Sequence, residues 1–265
     1  MSENKIPYKI YLSEDEMPKA WYNLRSDMKN KPAPLLNPGT LKPMTAQELE
    51  AVLFRDLLST TTTDVSGTAA RKGNVKLAGD QVNGTILNDG DIFDYNLVVG
   101  ERTVERGFGE AATYVNGETV NTVGGGICQV SSTVYLASLL ANLEIVERYA
   151  HRYYPGYITL GMDATVSWGG PEFRFKNNTG YPIRIDVSYA NSQLTVSIYG
   201  TKTDDTYVKM TRDVLSTTSY ETEYVETEDL PYGTQKQKQN GYVGYEVKSS
   251  VSYTHLRAHE TDSYL

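Results

Sequence analysis

The chain's single cysteine lies in "GGGICQVSSTVY", Gly124 to Tyr135, directly behind three glycines and at the start of a helical pattern. Glycines there let the backbone approach a ligand closely and leave first-turn N–H groups open. A thiol at that place feels the positive end of the helix dipole, which favours thiolate and lowers its pKa. His151 and Asp163 follow in chain order. Cysteine, histidine and acid are the parts of a nucleophilic acyl-transfer site: Cys128 attacks a carbonyl, His151 serves as base and then acid, and Asp163 orients the imidazole. Backbone N–H groups around Gly125, Gly126 and Gln129 would stabilise the oxyanion. Ser131 and Ser132 line the first turn, and Arg102 and Arg106 of "GERTVERG" offer guanidinium groups to a carboxylate or phosphate.

Each of these residues also has a plainer reading. Free cysteine is among the most buried residue types, and a small residue behind three glycines also lets a helix dock. A histidine after a helix serves as a surface or capping residue, and Asp163 can anchor a turn through its own backbone bonds. Arg102 and Arg106 can pair with Glu101 or Glu105, while Ser and Gln in a first turn are ordinary capping chemistry. The residue pattern alone leaves both sets open.

The elements around these residues point to an α+β fold, mostly antiparallel sheet with one central helix beginning at the GGGxC motif. Apolar Val130, Val134, Ala137, Leu140 and Ala141 recur at three- and four-residue steps, predicting a helix from Gln129 to about Asn142 with one buried face. "NGTILNDGDIFDYNLVVG" has turn chemistry at Asn83-Gly84 and Asp89-Gly90 between short strands. "ATYVNGETV" predicts a hairpin turning at Asn116-Gly117. Strands are expected at "ATVSWG", "EFRFKN", "IRIDVSY" and "LTVSIYG".

Several blocks in this region, "VVGERTVERGFGEA", "GGGICQVSSTVY", "LEIVERYAH", "GMDATVSWG" and "FRFKNNTGYPIRI", come in an order that resembles the VanW family over about residues 55 to 200. That family is found in some glycopeptide-resistance gene clusters and in many Gram-positive cell-surface proteins. The resemblance implies an extracellular or envelope setting, with peptidoglycan or another cell-wall component as partner. The sequence departs from the family pattern at Arg152 and Met162. Residues 201 to 250 are similar to the glycine-punctuated β modules that accompany such domains, with glycines at 233, 241 and 244.

Both ends have a different character. Residues 1 to 54, with "IPYKIYLSEDEMPKAWYNLRSDMKNKPAPLLNPGTLKPMTAQELEAV", resemble the N-terminal arm of the tryptophan synthase β-chain, including a capped helix start at Thr45 and Glu48. The Schiff-base lysine and phosphate loop of that family find no matching motif, so no pyridoxal phosphate or other cofactor is expected. "VSYTHLRAHET", within residues 251 to 265, resembles a translated sequencing adapter. Its His255 and His259, spaced like a helical metal pair, are set aside on that ground, and no metal site is expected. The chain thus reads as a chimera.

The net charge of −8 and the absence of a basic run argue against a nucleic-acid partner. No apolar stretch reaches the roughly 18 to 20 residues of a membrane span, and the N-terminus lacks the order of a secretion signal, so the chain as written reads as cytoplasmic against the family's envelope setting. Three functional readings stand: an envelope-associated thiol enzyme acting on peptide or amide bonds, a non-catalytic surface scaffold, and an inactive tryptophan synthase fragment.

Overall fold

The computed structural model describes residues 51–115 and 118–254. The readings at Thr45, Glu48, Asn116, Gly117, His255 and His259 fall outside the described residues. The fold is α+β and mostly antiparallel, as the alternation of β-formers and turn residues predicts.

The main sheet has the order β1-β9-β8-β2, from β1 (Asp56–Asp64), β2 (Thr85–Leu87), β8 (Ile183–Ala190) and β9 (Gln193–Gly200). β8 and β9 form a hairpin in register from Arg184↔Tyr199 to Ala190↔Gln193, turned by Asn191 and Ser192 at positive φ. Leu194, Val196 and Ile198 alternate inward on β9 and are fully buried, giving one apolar face for helices to cover. A smaller sheet, β3-β7-β6, joins β3 (Ile92–Asp94), β7 (Arg174–Lys176) and β6 (Glu144–Glu147). Its register pairs Phe93 with Phe175, whose rings stack with centroids 4.9 Å apart. A hairpin, β4 (Glu110–Val115) with β5 (Glu118–Val123), precedes the glycine turn, as "ATYVNGETV" predicts. A ribbon of β10 (Tyr207–Thr218) and β11 (Gly244–Thr254) follows the main sheet, so the first four residues of the adapter-like stretch complete a paired strand.

Helix α1 (Ala69–Val82) was not expected from the sequence, whereas the short α2 (Tyr95–Val99) follows the Asp89-Gly90 turn and β3. Two glycines, Gly73 and Gly79, lower α1's intrinsic helicity and blur its apolar pattern. Packing explains the second of them: a Cβ on Gly79 would lie 3.2 Å from Val187 and 3.4 Å from Leu194, so the glycine lets the helix sit close on the main sheet. Thr68 caps α1 by accepting from the Arg71 N–H at 3.2 Å.

Helix α3 (Cys128–Leu140) is the predicted central helix, starting one residue earlier and ending close to the expected Asn142. Its end is a left-handed Asn142, with the Asn142 N–H donating to Leu139 and the Leu143 N–H to Ser138. The expected single buried face is corrected: Gln129 through Tyr135 and Ala137 through Leu139 are all buried, and Leu140 is only half-buried. The helix lies between the main sheet and the aromatic face of the smaller one, where Tyr135 meets Phe173 edge-on at 5.7 Å. Phe173 is fully buried, and we expect Phe173→Ala to cost about 3 to 5 kcal/mol, read as a drop in the denaturation midpoint at unchanged slope.

The predicted strand "ATVSWG" is also corrected. Residues 162–167 join no ladder. The backbone of Ala164 is satisfied by the helix, where Ser131 and Ser132 donate to its carbonyl at 2.7 and 3.2 Å and its N–H donates to Ser132 Oγ, while the Thr165 N–H donates to the Tyr149 carbonyl. Among the described residues no helix is long and apolar enough to cross a membrane.

Candidate functional site

The site assembles at the first turn of α3. Gly124 and Gly126 both adopt positive φ, and the Ile127 N–H closes the turn on the Gly124 carbonyl. A Cβ on Gly124 would fall 2.8 Å from Arg102 Cβ, and one on Gly126 would fall 2.7 Å from Arg71 Cγ. A side chain on Gly125 would run into the Ala111 backbone carbonyl. The three glycines therefore let two arginine stems and a strand close on the backbone that introduces the cysteine.

Cys128 is half-buried and its thiol donates to the Val166 carbonyl at 3.3 Å, with Thr165 Oγ1 at 3.9 Å. His151, in the loop after β6, lies close enough to the sulfur for each group to shift the titration of the other. Asp163 Oδ2 lies 2.6 Å from both the Nδ1 and the backbone N–H of His151, so one carboxylate oxygen fixes ring and main chain together. With Nδ1 committed to a carboxylate, the neutral ring carries its proton there and keeps the Nε2 lone pair free. Arg148 holds Asp163 in turn, donating to its carbonyl at 2.6 Å and to Oδ1 at 3.3 Å while its guanidinium lies over the Tyr135 ring. Tyr157 completes the wall, its hydroxyl 3.4 Å from Nε2 and 3.5 Å from Ser132 Oγ.

The electrostatics couple these groups. Burial pushes the Cys128 thiol up, but the neighbouring His151 more than offsets it and leaves the thiol below its ordinary value. Burial pushes His151 down, yet Asp163 and Cys128 raise it to about 9. Burial raises Asp163 and its bonds to His151 outweigh that, so the carboxyl lies below its usual range. A lowered thiol beside a raised imidazole favours the thiolate–imidazolium pair, oriented by a carboxylate.

The residues expected to surround the oxyanion divide. The Gly125 N–H donates to Thr122 and that of Gln129 to Gly126, while the N–H groups of Gly126 and Cys128 have no hydrogen-bond partner among the described residues. Gln129 and Ser131 are fully buried and their side chains serve the scaffold: Gln129 links Arg71, Thr63 and the Asp64 carbonyl, and Ser131 holds Ala164. Neither caps the helix, whose N-cap, Ile127, has no side-chain bond. Arg106 is exposed and returns to the Glu101 carbonyl and over Gly100, away from the thiol, whereas Arg102 turns inward across the Tyr95 ring, 5.6 Å from its centroid. Among the described residues no cluster of His, Cys, Asp and Glu has the geometry of a metal site. A cavity of ≈460 Å³ borders Leu140, Ala141 and Asn142, at the opposite end of α3 from Cys128. At 1.5 Å per residue that helix separates the two by about 18 Å, so the cavity is no part of the thiol site.

Residues 70–199 match the protein family described as VanW like protein. This stretch is a VanW-family domain. The chain is 40% identical over 134 residues to the uncharacterized protein YoaR of Bacillus subtilis, covering 51% of this chain and 44% of that one. It is 26% identical over 134 residues to the vancomycin B-type resistance protein VanW of Enterococcus faecalis, covering 49% of each. The chain thus spans about half the length of these curated relatives. A further 50 residues are 42% identical to tryptophan synthase beta chain 2 of Methanosarcina mazei, 19% of this chain and 11% of that enzyme, in keeping with the resemblance of the N-terminal arm. No solved structure matches the chain.

Within the VanW domain, sequence reasoning missed Arg71, Arg148 and Tyr157. Arg148 sits in the family block "LEIVERYAH", three residues before His151, and that placement was a usable signal. Arg71 and Tyr157 lie in stretches with no motif, and only folding brings them to the thiol.

Proposed function

We propose that the domain is a cysteine-dependent hydrolase or acyltransferase acting on peptide or amide bonds of the cell wall. The observation that carries this reading is the 2.6 Å bond from His151 Nδ1 to Asp163, on a ring close enough to the Cys128 sulfur to act on its titration. The thiolate attacks the carbonyl carbon, and the resulting oxyanion is met by the unpaired N–H groups of Gly126 and Cys128. As the C–N bond breaks, the imidazolium gives its proton to the departing amine. Water or a second amine, deprotonated by His151, then attacks the thioester and releases the thiolate. The Enterococcus relative is named for vancomycin resistance, which supports an envelope setting and makes peptidoglycan the proposed substrate.

Alkylation by iodoacetamide at pH 7 tests the premise. An ordinary thiol with a pKa of about 8.5 is only a few per cent ionised at that pH, so Cys128 should react at least about tenfold faster than a model thiol. His151→Ala should remove that advantage. A wild-type rate at or below the model thiol's would leave the domain a scaffold.

A further inference from the structure

Two guanidinium groups flank the glycine turn, one on each side. Arg71 spends its nitrogens on neutral acceptors, the Ser66 carbonyl and Gln129 Oε1, both at 2.8 Å. Arg102 spends none: its Nε and both terminal nitrogens are buried, and none has a hydrogen-bond partner. The carboxylate that Arg102 feels, Glu172, accepts instead from the backbone N–H groups of Asn96 and Phe173. A buried charge with five donors and no acceptor is costly, and proteins keep such a group where a ligand completes it. The stem of Arg102 packs against Gly124, its head lies over Tyr95, and the Tyr95 hydroxyl donates to the Ile127 carbonyl, one residue before the nucleophile. The Cys128 sulfur is close enough for its charge to act on both arginines.

We infer that Arg102 is the carboxylate-recognition residue of the site, so that the substrate attacked at Cys128 carries a free carboxylate, held by the Arg102 fork beside the three-glycine turn. This rests on the thiol-enzyme reading for the word substrate, but the anion site stands on its own geometry. A planar guanidinium takes a carboxylate in two parallel hydrogen bonds, which would satisfy the orphaned donors and fix the distance from the anion to the sulfur. Arg71, already anchored to Gln129, adds positive charge from the opposite side without needing to move.

Paired reagents separate the anion site from thiol reactivity. Iodoacetate and iodoacetamide differ by a carboxylate, so the ratio of their alkylation rates cancels the thiolate fraction. In the wild-type chain this ratio should exceed that of a free thiol by about tenfold. In Arg102→Gln it should fall to the free-thiol value, with Arg102→Lys between. A ratio unchanged by Arg102→Gln overturns the inference. A second measurement does not depend on the sulfur: in Cys128→Ala, ligand-observed NMR should detect N-acetylalanine at least about tenfold more tightly than N-acetylalaninamide. Adding Arg102→Gln should abolish the difference. Equal binding of acid and amide overturns the anion site even if Cys128 proves reactive. An unreactive Cys128 with selective acid binding refutes the enzyme reading and keeps the site.

Discussion

Under the proposed mechanism, Cys128→Ala is expected to abolish turnover of peptidoglycan-derived peptides, by about 10⁴-fold or more, and to leave the protein folded. The size follows from the loss of the chain's single thiol, since in the proposed mechanism His151 and the open N–H groups then have no covalent intermediate to serve. The fold survives because the half-buried sulfur makes only a bond to the Val166 carbonyl and weaker contacts to Thr165 and His151. The variant also has a signature in pH. His151 is raised to about 9 in the native protein, so its contribution to stability is complete below about pH 6.5 and is lost as pH rises through about 9. Cys128 itself is lowered and contributes with the opposite sign, present above the unfolded thiol's value and lost as pH falls through its own. Without the sulfur, only Asp163 supports the imidazolium, and His151 titrates below 9. NMR titration of the imidazole checks this. Turnover that persists in Cys128→Ala, measured by mass spectrometry of the products, sinks the covalent mechanism.

Asp163→Asn is expected to lower turnover by about 10³ to 10⁴-fold and also to destabilise the fold. An asparagine amide can donate to Nδ1, which moves the ring proton to Nε2 and removes the lone pair the base needs there. The same oxygen of Asp163 accepts the backbone N–H of His151, and Arg148 depends on the charge of the other. A part-buried Arg148 without its carboxylate costs stability as well as order. The acid limb of the stability profile carries the sign of this group. The lowered Asp163 contributes stability that is present above about pH 4 and fades as pH falls through its depressed value, so the asparagine variant should show a flatter acid limb. Circular dichroism melts between pH 2 and 7 measure it. A turnover loss under tenfold would make Asp163 a turn anchor rather than an orienting acid.

What was legible in the sequence was local. The GGGxC motif announced a helix start, and the alternation in "IRIDVSY" and "LTVSIYG" announced a hairpin of the main sheet, because both signals arise from neighbouring residues and their own backbone preferences. The order Cys128, His151, Asp163 was readable for the same reason, as a set of residue types that do one kind of chemistry. What it could not specify was which partners the polar residues would take. Gln129 and Ser131 look like capping residues in one dimension, yet the helix is buried on all sides and they spend their bonds on Asp64 and Ala164.

The strand expected at "ATVSWG" failed on the same point, since helix serines take the Ala164 backbone and loop carbonyls take the Thr165 and Ser167 N–H groups, leaving no ladder. Helix α1 was hidden because its glycines serve a close approach to β8 and β9 that no local pattern encodes. The sequence by itself determined the VanW assignment and the central helix, both carried by contiguous residues. Only the tertiary structure decided that Arg102 turns inward without a partner while Arg106 turns out, and that Arg71 and Tyr157 come near the thiol while Arg148 holds Asp163. Charges separated by tens of residues acquire partners only when packing sets their distance, and the energy of a buried charge depends on that distance.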